Sequence, residues 1–272
     1  MIGYVRILGV FITLVPLTLL LIPIQIVSIL AKLELRKSIP LFWHRIVLKM
    51  LGMRVSIKGT IPDDLHTALI VSNHISWSDI PVLGSCIKLS FIAKQEVLEM
   101  PGVSLLAKLQ ETVFVKREAK GASGRQAREV TSRLFAGDNI VLFAEGTTSF
   151  GHMVGQFKSS LFGAAQYAVH EGELDKVTIL PVSICYTKLH GMPSGRIWRG
   201  QTGWPGDVSI GAHALNLLLK AAWDVEVFVG EPLSYTAETK RKQISKQVEE
   251  QVKSMFAVSS SGRERDKSAI SI

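Results

Sequence analysis

At 272 residues the chain is long enough for one domain, or one domain and an anchor, and 47% of it is hydrophobic. The apolar excess gathers at the N-terminus, which points to a membrane element and not to an oversized core. The formal charge of +8 favours anionic surfaces, and the chain has no zinc-finger spacing, aromatic–glycine RNA signature or basic heptad helix, which excludes the common nucleic-acid binders and leaves anionic lipid.

No charged residue falls between Ile7 and Ala31, a run long enough to cross a hydrocarbon core as a helix. It is too long for a signal peptide, and no small-x-small cleavage site follows it. Pro16 and Pro23 interrupt the run, so it reads either as a kinked spanning helix or as a re-entrant helical element. Arg6 flanks one side, and Lys32, Arg36, Lys37, Arg45 and Lys49 follow on the other. The positive-inside rule then puts the body on the cytoplasmic side of the inner membrane. Ile39 to Met53 mixes apolar and basic residues and reads as an amphipathic helix, lying on the membrane surface or packed on a core. Residues 1–53 are therefore expected to form a membrane anchor with an interfacial helix.

Beyond Gly52 the pattern alternates. Strands are expected at Val55–Lys58, Ala68–Ser72, Phe91–Lys94, Thr112–Lys116, Asn139–Ala144, Val177–Cys185 and Asp224–Val229. Helices are expected from Asp79, and at Gly102–Leu109, Arg125–Phe135, Ser159–Val169 and Glu238–Phe256. This makes residues 54–257 an α/β domain, a mixed sheet covered by helices. Residues 258–272 are Ser-rich and charged and read as a disordered tail.

Four clusters fall at strand ends or in loops. His74 and Asp79 lie five residues apart, directly after the apolar run Ala68–Val71. A carboxylate holding one imidazole nitrogen raises the basicity of the other, as a general base for an alcohol requires. The same residues also suit a helix N-terminus with a capping Asp and a hydrogen-bonded His. Thr112–Arg117 is a strand that delivers Lys116 and Arg117 to its end, either as anion ligands or as a solvated strand end. Val141–Ser149 is a strand ending in Glu145-Gly146, where Gly allows close backbone approach, followed by the donors Thr147, Thr148 and Ser149. Glu145 there could bind substrate hydroxyls or position a cation. Ile179–Val182 carries Pro181 inside a strand, which points to an edge, a bulge or a lining position. Only Cys86 and Cys185 are present, so neither a disulfide framework nor a cysteine metal cluster is expected.

In this order, the clusters resemble the four blocks of the glycerolipid acyltransferase family, the bacterial lysophosphatidate acyltransferase type. Asn73-His74 through Asp79 matches its His-x4-Asp block, and Phe114–Arg117 is similar to its second block. Glu145-Gly146-Thr147 and Leu180-Pro181-Val182 resemble its third and fourth. The resemblance implies an acyl thioester donor, on acyl carrier protein or coenzyme A, and a lyso-lipid acceptor whose hydroxyl is acylated directly, with no cofactor and no metal. His74 becomes the base and Asp79 its orienter, with backbone N–H groups near the motif as oxyanion donors. Asn73, Lys116, Arg117, Glu145, Gly146, Thr147 and Thr148 become substrate-binding positions, Arg117 foremost for the head group. The family's third block usually reads Phe-Pro-Glu-Gly-Thr-Arg, and here Ala144 and Thr148 replace its Pro and Arg. Lysophosphatidate, giving phosphatidate, is the first acceptor expected. The segments Tyr186–Pro193 and Trp204–Asp207 also resemble the lyso-ornithine lipid acyltransferase branch, which makes that lipid the second.

Two readings of other classes stand beside this one. A catalytically silent lipid-surface binding protein would share the basic charge and the amphipathic N-terminus. A hydrolase or metal enzyme would use His74 and Asp79 with further ligands, but His152, His170, His190 and His213 are scattered without ligand spacing and read as surface or loop histidines.

Overall fold

The computed structural model describes residues 2–115, 122–171, 174–204, 209–262 and 270–271. The N-terminal part holds helices α1 (Ile2–Leu30) and α2 (Leu35–Leu51), then β1 (Met53–Lys58), β2 (Ala68–Ser72), α3 (Asp79–Cys86), β3 (Ser90–Lys94), α4 (Val103–Leu109) and β4 (Val113–Val115). There follow α5 (Ala122–Phe135), β5 (Ile140–Phe143), α6 (Gly163–His170), the long β6 (Val177–Leu189), β7 (Met192–Pro193), α7 (Gly195–Gly200) and α8 (Ile210–Lys220). The last elements are β8 (Trp223–Val229), β9 (Leu233–Tyr235), α9 (Arg241–Ser261) and β10 (Ile270–Ser271).

The strands form one mixed sheet in the order β10-β1-β8-β6-β2-β5-β3-β4, with β7 and β9 also paired to β6. β2 runs parallel to β5 and β6 on its two sides. Every residue of β2 and β5 is buried, so both strands are covered on both faces, as their unbroken apolar sequence requires. β8 alternates buried and half-buried residues instead, because Asp224 and Glu226 share it with Trp223, Val225 and Val227. β6 reverses the sheet, parallel to β2 and antiparallel to β8. It also outruns β2: Ser72 pairs with Val182, and seven residues of β6 continue beyond that level. Asn73, His74 and the loop to α3 therefore lie against the far half of β6.

Pro181 sits in this central strand, not at an edge of the sheet. On one side it pairs with Val71. On the other, β6 changes partner, from β9 at Ile179 to β8 at Val182. The Pro181 carbonyl accepts from Gly230 N at 2.9 Å on that second side, so its imide nitrogen faces the changeover, where no ladder bond is lost.

α2 folds back antiparallel along α1. Trp43 Nε1 donates to Thr18 Oγ1 at 2.9 Å, and Gln25 Nε2 donates to Arg36 O at 2.9 Å and to Leu109 O at 2.7 Å. α2 buries Val47, Leu48 and Leu51 in the core of the α/β body and packs on α3, while Phe42 stays half exposed. It is thus core-packed on one side. α1 runs as one helix through Pro16 and Pro23 and keeps a long apolar flank exposed, Leu8, Phe11, Ile12, Val15 and Leu19 among it. At the far end of the sheet from the His74 loop, Arg36, Lys37 and Arg133 gather around Glu111 and Asp138, tying α2 to the body. α9 packs on β6 and β8 and continues to Ser261, past the expected start of a disordered tail at 258. Ile270–Ser271 pairs antiparallel with β1.

Candidate active site

The loop from β2 to α3, residues 73–78, is six residues long and closes on the carboxylate that follows it. Asp79 is completely buried at the first turn of α3, where negative charge suits the helix dipole. Its Oδ2 accepts from Ile75 N at 2.6 Å, Ser76 N at 2.8 Å and His74 Nδ1 at 2.8 Å. The carboxylate fixes the imidazole tautomer with the proton on Nδ1 and leaves Nε2 as the lone-pair nitrogen. The ring of His74 stacks on Phe143 at the end of β5, centroids 3.8 Å apart and planes 12° apart. Its side chain is 17% exposed and that of Asp79 is fully buried, so the dyad opens on the imidazole side only.

The rest of the loop is bound from three sides. Ser149 N donates to His74 O, and Trp204 N to Ile75 O, each at 2.9 Å. Trp77 Nε1 donates to His213 Nδ1 at 2.9 Å, and His213 Nε2 donates on to Gly203 O at 3.1 Å. Burial lowers the pKa of His213, in keeping with the neutral tautomer those two bonds need. His213 is therefore a buried brace on α8, not a surface or loop histidine.

Glu145, expected to face substrate, is 5% exposed and spends both oxygens on backbone. It accepts from His74 N and from Gly155 N, each at 2.8 Å. Burial raises its pKa, and the two N–H bonds oppose that shift. Asn73 is equally committed: its amide donates to Ile184 O and accepts from Ile184 N, docking the loop on β6. Both residues therefore hold the dyad in place and do not offer atoms to a ligand. The N–H groups of His74, Ile75 and Ser76, the nearest expected oxyanion donors, are all taken by carboxylates. Those of Thr147 and Thr148 have no partner among the described residues. Gly146 has φ of +69°, a left-handed turn that suits glycine and lets the chain reverse directly after Glu145. The Thr148 hydroxyl donates to Trp204 O, so the position usually held by Arg is occupied by a loop-to-loop bond.

Lys116 and Arg117 lie outside the described residues. Sequence reasoning missed Tyr186, whose hydroxyl donates to Asp79 Oδ1 at 2.9 Å, and Ser78, 2.6 Å from the same hydroxyl. A tyrosine directly after the apolar strand Val177–Cys185 was the available signal, since a buried phenol needs a partner. It missed Phe143 as well, which read only as strand. An open cleft of about 930 Å³ lies at the opposite end of α3 from Asp79 and is lined by Arg45, Lys49, Arg54 and His190 among others; no residue of the dyad or of the 145–149 loop borders it.

A carboxylate-held imidazole at the mouth of an α/β sheet is the equipment of a general-base enzyme. The comparisons with known proteins narrow the class. The family model described as Acyltransferase matches residues 53–185. The chain is 44% identical over 264 residues to the lyso-ornithine lipid O-acyltransferase of Brucella abortus (strain 2308), covering 97% of this chain and 98% of that one. It is 39% identical over 265 residues to the enzyme of the same name from Rhizobium meliloti (strain 1021), covering 97% and 90%. The crystal structure of the 1-acyl-sn-glycerophosphate (LPA) acyltransferase PlsC from Thermotoga maritima superposes with a TM-score of 0.59 at 26% identity, over 85% of this chain and 81% of that one. The chain belongs to the acyltransferase family. It is an enzyme that moves an acyl group from a donor to a lyso-lipid acceptor.

Proposed function

We propose that the acceptor is lyso-ornithine lipid and that the product is ornithine lipid. The observation that carries this is the near full-length identity to enzymes of that name, joined by Thr148 standing bonded to Trp204 O where the phosphatidate-making pattern has an Arg. Without that guanidinium the site has less charge for a phosphomonoester. Lysophosphatidate, the first acceptor expected from the motif, becomes the second reading. It is favoured by the likeness to the Thermotoga maritima enzyme and by Lys116 and Arg117 in the sequence.

In this reading the donor is a fatty acyl thioester on acyl carrier protein or coenzyme A. The acceptor hydroxyl gives its proton to His74 Nε2 as its oxygen attacks the thioester carbonyl. Asp79, hydrogen-bonded to Nδ1, stabilises the imidazolium that forms. The oxyanion needs donors that are not already used, and the N–H groups of Thr147 and Thr148 fit that need. Collapse forms the ester C–O bond and breaks the C–S bond, and His74 returns its proton to the leaving thiolate. Asn73, Glu145 and Gly146 act through the loop they hold. Lys116 and Arg117 remain the proposed head-group cations.

The same reading places the enzyme on the cytoplasmic face of the inner membrane, against anionic lipid. α2 carries Arg36, Lys37, Arg45 and Lys49 and lies alongside α1, so α1 cannot run through the bilayer without drawing those charges in with it. An element embedded in one leaflet suits the geometry better than a perpendicular span. Purified enzyme with a labelled acyl donor and equal amounts of lyso-ornithine lipid and lysophosphatidate tests the acceptor. Label is expected mainly in ornithine lipid; label found only in phosphatidate would overturn the proposal.

A further inference from the structure

Asp79 accepts four hydrogen bonds, and they are unevenly shared. Three converge on Oδ2, from His74 Nδ1 and the N–H groups of Ile75 and Ser76. Among the described residues Oδ1 has one, from the Tyr186 hydroxyl at 2.9 Å. The torsion that sets the plane of a carboxylate is broad, so the far oxygen must be held if the near one is to keep its aim. Tyr186 is the group that holds it, from β6, 107 residues along the chain. The phenol is fully buried, with Trp223 edge-on to its ring at 6.3 Å. Because Tyr186 donates to a carboxylate, the 2.6 Å contact with Ser78 must run from the serine hydroxyl to the phenol oxygen. Ser78 is itself buried and sits next to Asp79. The result is a single line of donors, Ser78 to Tyr186 to Asp79 Oδ1, with Asp79 Oδ2 facing the imidazole. In such lines each bond strengthens the next.

We propose that Tyr186, set by Ser78, is a positioning residue for acyl transfer: it fixes the plane of the Asp79 carboxylate and draws charge toward Oδ1, and so sets both the orientation and the basicity of His74. The inference rests on the general-base reading of His74. A tyrosine kept only to fill the core could be phenylalanine with no loss of packing, yet here a hydroxyl is buried against the one carboxylate that touches the reacting imidazole. Burial and the neighbouring Asp79 push the phenol's pKa well above its ordinary value, so it remains a donor throughout the working range.

The sign of its effect follows from the charge. Without the phenol, the negative charge of the Asp79 carboxylate is less offset by donors, and a neighbouring imidazolium becomes easier to form. The other ionisable groups facing the pair are Glu145, bonded to His74 N, and His213, bonded to Trp77 of the same loop. Neither changes in the variants below.

The test uses the full-length enzyme in detergent, as wild type, Tyr186→Phe and Ser78→Ala. Two quantities are read: the acid limb of the pH profile of kcat, and the titration of His74 by NMR on histidine-labelled protein with no acceptor present, with His74→Ala identifying its signal. In Tyr186→Phe, kcat is expected to fall about tenfold with acceptor KM within about twofold, and both titrations to move up by about half a pH unit. Ser78→Ala should move both the same way by less. Titrations that stay where they are in both variants, whatever happens to kcat, would reduce Tyr186 to a core residue and overturn the inference. If Tyr186→Phe fails to fold, the Ser78→Ala titration decides alone. Turnover retained in His74→Ala would remove the general-base reading, and the NMR titration would still judge the Tyr186 contact separately.

Discussion

Truncating His74 to Ala takes away the one ring nitrogen that faces the site while leaving Asp79 its bonds from Ile75, Ser76 and Tyr186. The loop should therefore stay folded, and initial rates of acyl transfer should drop by at least about a hundredfold, the scale of general-base assistance. Thr148 offers a gain-of-function counterpart. Thr148→Arg breaks the bond to Trp204 O and restores the charge that the phosphatidate-making pattern carries at this position. In a competition assay, the ratio of lysophosphatidate to lyso-ornithine lipid used should rise about tenfold or more, the worth of one charge-assisted hydrogen bond. An unchanged ratio would mean that head-group choice is made elsewhere. The dyad could be read in the sequence because His74 and Asp79 are five residues apart and their meeting is local. The bracing of Asn73 and Glu145 could not, because it joins Asn73 to Ile184 and Glu145 to His74, 111 and 71 residues apart, which only the sheet brings near. Nothing in a side chain's identity tells whether its polar atoms go to a ligand or to a backbone.

At the scale of the element, α2 is where a helix becomes part of the body. His44 is buried against Gly84 of α3, where an added Cβ would come within 2.5 Å of the ring. Its Nε2 bonds Gln110 Oε1 at 2.9 Å, and its Nδ1 has no partner among the described residues. Burial pushes its pKa down to about 4. A histidine whose folded pKa lies below its unfolded value near 6.5 binds its proton more tightly in the unfolded chain. Stability is therefore whole above about pH 6.5 and falls as pH drops toward 4, by roughly 3 kcal/mol in all. Urea denaturation from pH 7 to pH 4 should show this slope, and His44→Gln should flatten it; equal slopes would place the acid-sensitive group elsewhere. The buried strands β2, β5 and β6 were legible as apolar runs, each within a few residues of its end. β6 ran four residues further than expected because Tyr186 to Leu189 pair with β8, a partner that enters more than thirty residues later. α8 went unseen as a helix, since Gly211 and the nearby Pro205-Gly206 broke the local pattern that its buried His213 and Leu217 complete.

For the whole molecule, the layout joins a lipid-facing helix to a rigid body through polar bonds at several levels. Phe11, Ile12 and Leu19 are each more than 60% exposed on α1. Changing all three to Ser should leave the body folded. It should also lower co-sedimentation with anionic vesicles by at least about a hundredfold, since each side chain is worth roughly 1 to 2 kcal/mol in lipid. Vesicle binding that persists unchanged would shift the contact to other surfaces. The class of fold, a mixed sheet between helices, followed from alternation alone, whereas the strand order did not. Placing β8 between β1 and β6 requires a return of the chain after α8 that no local pattern announces. That order has a consequence in time. Residues 73–79 can close on themselves as soon as they emerge from a ribosome, but the bonds from Tyr186 and Ile184 come 107 and 111 residues later. At about 5–20 residues per second, every nascent chain carries an unset catalytic loop for roughly 5 to 20 s. It becomes an enzyme only when β6 slides in beside β2.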